Sequence, residues 1–135
     1  MKHYIRSIEK ETEKNNYFRR VLFTGKHEQL VVMCLKPREE IGNEVHPKVD
    51  QFFRIEQGEA EFILNNGKDR HVAGSGFAVI VPAGTWHNVM NVSKTKKLKI
   101  YTIYSPPNHP PGTIHKTKGE AERAEKAGKD KYRAR

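Results

Sequence analysis

Cysteine is nearly absent from this 135-residue chain: Cys34 stands alone, so no disulfide can form within it. It lies in the apolar run Leu30-Val31-Val32-Met33-Cys34-Leu35, which has strand character, and is read as a buried small hydrophobe rather than a reactive thiol. Long hydrophobic runs are missing too. Nothing approaches the roughly 18 apolar residues that a membrane-spanning helix needs. The opening Met1-Lys2-His3-Tyr4-Ile5-Arg6 has no apolar stretch behind it, so no secretory signal is expected and the expected compartment is the cytoplasm. Internal repeats are absent, which excludes a solenoid. With 36% hydrophobic and 30% charged residues, the composition describes one polar domain around a modest core and excludes a multidomain machine.

What the chain has in excess is positive charge, a formal +9 at pH 7. Residues 116–135 hold eight Lys/Arg against four Asp/Glu, so nearly half of the excess sits in the last 20 positions. The body does not interleave Lys/Arg with aromatic residues as a single-strand stacking platform would. A nucleic-acid partner is therefore not expected, and a basic tail that docks on nucleic acid or an acidic protein is the weakest of the functional readings.

Residues 17–104 read as short strands divided by turn residues, the pattern of an all-β sandwich or barrel. The expected strands are 18–24, 28–36, 43–46, 51–57, 59–65, 69–73, 77–82, 86–92 and 97–104. Gly58 separates two partly alternating segments, and Asn65-Asn66-Gly67 supplies residues that tolerate positive φ in a tight turn. Residues 1–16 are weakly patterned and fit a helical turn, a loop or a strand. From Ser105 onward four prolines within eight residues predict an extended arm. Thr117-Lys118-Gly119-Glu120 then has the spacing of a capping box and opens a short helix whose apolar face is only Ala121, Ala124 and Ala127, so residues 105–135 are read as an arm and a solvated, frayed helical tail.

One segment carries chemistry at defined spacing. Gly76, Pro82, Gly84, His87 and Asn91 follow the pattern G-x5-P-x-G-x2-H-x3-N, an apolar strand, a turn and a histidine just inside the next strand. Every fixed position of this pattern resembles the second motif of the cupin family. The first motif of that family, G-x5-H-x-H-x4-E-x6-G, is present in altered form: anchored on Gly58, it places Gln51 at the glutamate, His46 at the second histidine, Glu44 at the first histidine and Arg38 at the first glycine. The resemblance implies a double-stranded β-helix of jelly-roll type, often dimeric, with Glu44, His46, Gln51 and His87 facing one cavity around a divalent metal.

Two histidines, one carboxylate and one amide replace the usual three histidines and one carboxylate, at unchanged formal ligand charge. Imidazole suits Fe, Ni, Zn and Cu, and Mn is also admitted; two histidines and a carboxylate with open positions suit non-heme Fe(II). Gln51 stays open between binding metal, contacting substrate and holding a water. The resemblance further implies a metal-dependent enzyme (dioxygenase, isomerase or lyase; such sequences resemble mannose-6-phosphate isomerase-like small cupins) acting on a small polar, anionic or sugar-like molecule. The rival is a non-catalytic cupin that binds or senses a small molecule or metal, its polar interior residues bonding to one another or to water. His3, His27 and His71 are read as surface residues. His109 and His115, on an arm able to fold over the barrel mouth, are open as acid/base groups. Phe53, Trp86 and Tyr101 are expected in the core or lining the cavity, and Asp50 is expected to face away from Gln51.

Overall fold

The computed structural model describes residues 2–132; positions 1 and 133–135, the ends of the expected terminal segments, lie outside the described residues. The chain runs α1 (Ile8–Lys14), β1 (Arg19–Thr24), β2 (Gln29–Leu35), β3 (Asp50–Gln57), β4 (Glu59–Leu64), β5 (Asp69–Gly74), β6 (Ala78–Val81), β7 (His87–Asn91), β8 (Leu98–Ser105), β9 (Ile114–His115) and α2 (Lys118–Lys126). The strands form two antiparallel sheets, β6-β3-β8-β2-β1-β9 and β5-β4-β7. Period-two alternation sends Gln51, Phe53 and Ile55 of β3 inward, with Ala60 and Phe62 of β4 and Leu98, Ile100, Thr102 and Tyr104 of β8. These side chains meet Val31, Met33, Leu35, Val81 and Val89 in one buried core, an all-β jelly roll.

Gly58 marks where the chain leaves one sheet for the other. Its φ is +95°, and a Cβ there would stand 2.9 Å from the Lys97 carbonyl oxygen, so only glycine fits the step. Asn65 and Asn66 both take positive φ in the turn between β4 and β5, as their chemistry predicts.

The expected strand 43–46 is not a strand. Between Pro37 and Pro47 the chain makes single bridges, Glu40 to Met90 and Glu44 to His87. Prolines at both ends and Gly42 at φ +109° break a continuous ladder, yet Ile41, Glu44 and His46 still exchange backbone hydrogen bonds with Val89, His87 and Gly84. Among the described residues before β1, Ile8–Lys14 form α1, capped by Ser7, whose hydroxyl accepts from the Lys10 amide.

The C-terminal tail differs from the solvated expectation. Thr117 caps α2 by accepting from the Glu120 amide, but Ala121 is buried in the core and β9 pairs with β1. Past α2 the chain returns to the arm: Asp130 accepts from His109 Nδ1, and the Tyr132 amide donates to the Asn108 carbonyl. A narrow alanine face suffices because backbone polar groups do the docking. Trp86 and Tyr101 also depart from expectation. Trp86 is 42% exposed on the surface, and Tyr101 is half-buried against Phe52 on the outer face of the sheet, opposite inward-facing Ile100 and Thr102. Phe53, fully buried, is core.

Candidate metal centre

His87 opens β7, directly after the Pro82-Ala83-Gly84 turn, in which Gly84 has φ +83° and donates its amide to the His46 carbonyl. Glu44 and His87 exchange both backbone hydrogen bonds at 2.9 Å. The irregular segment is thereby fastened to β7 and to the turn before it, which brings Glu44 and His46 to His87 although more than 40 positions separate them in the sequence. Gln51 reaches the same place from β3, with its side chain 1% exposed. Asp50 turns outward and accepts from the Ala83 amide, as its parity on the strand requires.

Glu44, His46 and His87 offer ligand atoms that all lie within 4.8 Å of one another. Glu44 Oε1 stands 3.4 Å from His46 Nε2 and 3.7 Å from His87 Nε2, and Gln51 Oε1 stands 3.2 Å from His87 Nε2. The proton inventory matters more than the distances. His87 Nδ1–H donates to the Thr85 carbonyl at 2.9 Å, which leaves the neutral ring's lone pair on Nε2, pointing at the other donors. Burial favours that neutral ring, pushing His87 below the usual histidine value against the pull of Thr85 and Glu44. Burial alone would raise Glu44, but the His46 ring at 3.4 Å and its charge, with Arg19 and His87, outweigh it and hold the carboxyl at about 2. Buried His46 Nε2 has no hydrogen-bond partner among the described residues. Gln51 Nε2 donates to Thr102 Oγ1 at 2.9 Å, which orients its oxygen inward. A carboxylate, two imidazole nitrogens and an amide oxygen thus converge with few protons between them, a donor set that fits a divalent cation.

Beyond this group lies one that the motifs did not reveal. Tyr104, on β8, packs edge-on to His46 with ring centroids 5.7 Å apart and edge-on to His109 at 5.1 Å. Gln29, fully buried, accepts from the Asn108 and His109 amides and donates to the His109 carbonyl and Thr24 Oγ1. His109 Nδ1–H donates to the Asp130 carbonyl at 2.8 Å, so its Nε2 accepts from Tyr104 OH at 3.2 Å. Buried Arg19 donates through Nη1 to His115 Nδ1 at 3.3 Å. The sequence signal for Arg19 was its parity: it stands two positions before the apolar Val21, on the inward face of β1, whereas Arg20 faces out. His3, His27 and His71 are exposed and take no part.

An antiparallel jelly roll carrying a Glu/His/His group inside it defines a class, and the comparisons agree with it. The Cupin domain family matches residues 31–104, and the chain belongs to the cupin family. It is 51% identical over 112 residues to an uncharacterized protein of Acanthamoeba polyphaga mimivirus, covering 82% of this chain and 70% of that one. It is 50% identical over 129 residues to the uncharacterized protein YrkC of Bacillus subtilis, covering 92% and 68%. The crystal structure of BH2720 from Bacillus halodurans superimposes with a TM-score of 0.88 at 42% identity, over 91% of this chain and 96% of that one. Cupins commonly bind metal, and this chain has a Glu/His/His group placed for one.

Proposed function

We propose that the chain is a metal-dependent cupin enzyme acting on a small polar molecule, with Glu44, His46 and His87 as ligands of one divalent ion and Gln51 beside them. The observation that carries this reading is the lone-pair convergence, above all the buried His46 Nε2 with no partner, 3.4 Å from the Glu44 carboxylate. A bound divalent ion would supply Lewis acidity or redox chemistry at this point. Three protein ligands leave positions for water or substrate, whereas a fully closed shell would serve structure. The chain's own residues do the positioning: Thr85 fixes the His87 ring, Thr102 fixes the Gln51 carboxamide, and Phe53 and Tyr104 exclude bulk water. Fe, Mn, Ni, Zn and Cu all suit the donors. A mannose-6-phosphate isomerase-like or dioxygenase reaction, a homodimer and a cytoplasmic location belong to the same proposal. Exposed Phe77 and Ile80 at the outer strand of the larger sheet favour the dimer, and buried, lone Cys34 agrees with a reducing compartment.

The second reading, a cupin that binds or senses a small molecule without turnover, is favoured by the arm, whose His109 is pinned by Gln29 over Tyr104. It also has a metal-free form, in which a turned-over Gln51 carboxamide donates to His87 Nε2 and satisfies it. Elemental analysis of protein purified without chelator separates these. The next step is a turnover screen of the Fe-, Mn-, Ni-, Zn- and Cu-loaded protein on sugar phosphates, diols and keto acids, following product and O2 uptake. Metal bound at one per chain with turnover supports the enzyme; tight ligand binding without turnover by any metal form selects the second reading.

A further inference from the structure

Arg19 poses a problem that the proposed centre does not solve. It is a side chain 6% exposed, on the inward face of β1, and its guanidinium keeps its proton in any protein environment. Five N–H groups need acceptors, yet among the described residues Arg19 donates to His115 Nδ1, acts on the Tyr104 hydroxyl, stands over the Phe18 ring at 5.3 Å, and leaves Nε buried without a partner. Among the described residues it makes no ion pair; the nearby Glu44 carboxylate is engaged with His46 and His87 instead. Its direct partners, His115 and the Phe18 ring, are uncharged, while the Glu44, Glu120 and Asp130 carboxylates act on this cluster without pairing with the guanidinium. Burial, then the charge of Arg19 itself, push both His109 and His115 down, and burial pushes the Tyr104 phenol up, so none of the three supplies a counter-charge. A buried cation without an anion is an expensive arrangement unless an anion is delivered to it.

We infer that Arg19 binds the anionic oxygen group, a carboxylate or a phosphate, of the small molecule that the proposed centre acts on, with His115 orienting the guanidinium. This rests on the proposed function for the identity of the centre and adds a substrate class: a small acid whose remaining polar atoms face Glu44, His46 and His87. The planar fork of arginine matches such groups with two parallel hydrogen bonds, and no other described side chain of the interior offers a fixed positive charge there.

The test is calorimetric titration of the full chain, reloaded with Mn2+ after chelation, with glycolate, with inorganic phosphate and with neutral ethylene glycol at constant ionic strength. Metal content is measured separately on every sample. Glycolate or phosphate is expected to bind, the better of the two naming the anion, with ethylene glycol weaker by at least tenfold. Arg19→Gln is expected to lose tenfold or more in affinity for the acid while its Mn2+ content stays at the wild-type level. Arg19→Lys, which keeps the charge but loses the fork, is expected between the two and guards against a variant that fails to fold. Wild-type protein that holds Mn2+ but discriminates against neither probe overturns the inference and leaves the metal reading intact. Wild-type protein that retains no Mn2+ yet binds the acid, with the binding lost in Arg19→Gln, overturns the metal reading and leaves Arg19 standing. Equal acid affinity in wild type and Arg19→Gln also overturns it.

Discussion

Two ends of the barrel interior differ in kind. Around Glu44, His46, Gln51 and His87 the groups are acceptors, short of protons, and the backbone of β7 and the segment 40–46 fixes them. Around Arg19, Tyr104, His109 and His115 there is a fixed positive charge with donors to spare, and the C-terminal arm holds half of the set. On the proposed reading the first end receives a cation and the second an anion. The first end is made of β3, β7 and the bridged segment 40–46; the other depends on one glutamine of β2 clasping an arm that lies about 80 positions further on. Function in this barrel therefore divides between a site that exists once the sheets pair and a site that exists only once the arm has docked.

The sharpest way to test this division is to damage one end and read the other. The largest effect is expected from His87→Ala: loss of metal affinity beyond the roughly 10- to 100-fold that follows from removing a residue which only orients a ligand. Gln51→Ala is expected to retain most of the metal, and Gln51→Glu to tighten it by adding a carboxylate. Metal content measured by mass spectrometry decides this; equal retention in His87→Ala and Gln51→Ala would break the picture of a His87-centred cation end.

Next comes the clasp. Gln29→Ala strands the buried amides of Asn108 and His109, and about 2 kcal/mol of stability should go with them. Urea unfolding gives the number, and hydrogen exchange should accelerate at those two amides while those of Ile41, Glu44 and His87 stay protected. Uniform acceleration would show that the two ends are one cooperative unit.

A smaller effect concerns pH. Burial, with Arg19 next, holds His109 well below 6.5, while in the unfolded chain it titrates near that value. Below about pH 6.5 the unfolded chain takes up a proton that the folded chain refuses, so stability falls as pH drops, by about 1.4 kcal/mol per unit from this residue until its folded value is reached. Above 6.5 it contributes no slope. His109→Gln should flatten the limb of the stability profile between pH 6.5 and 5.5; an unchanged slope there would assign the acid sensitivity to His87 and His115. The smallest effect is expected from Trp86→Ser. An exposed side chain outside both ends should shift stability within about 0.5 kcal/mol and leave metal content alone.

Much of this was legible in the chain before folding, for stated reasons. Alternation of apolar residues has a period of two in a strand whatever the strand pairs with, so β3, β4 and β8 and the inward parity of Gln51 followed from the residues alone. Turn chemistry is equally local: Gly58, Asn65-Asn66-Gly67 and Pro82-Ala83-Gly84 could take few other conformations. Glu44, His46, Gln51 and His87 were picked out by the resemblance to the cupin motifs, which are anchored on turn glycines such as Gly58 and Gly84. Where locality failed, so did the reading. The bridges of residues 40–46 are neither strand nor loop by composition, Trp86 looks like core and is surface, and Ala121 looks too small to dock a helix but has the Asp130 and Tyr132 backbone to help it. Tertiary structure alone decided that Gln29 seizes the arm, that His109 reaches Tyr104, and that Arg19 makes no ion pair among the described residues. A side chain's hydrogen-bond partner across tens of residues is set by how two sheets and a returning segment close on each other, and no periodicity in the chain encodes that distance.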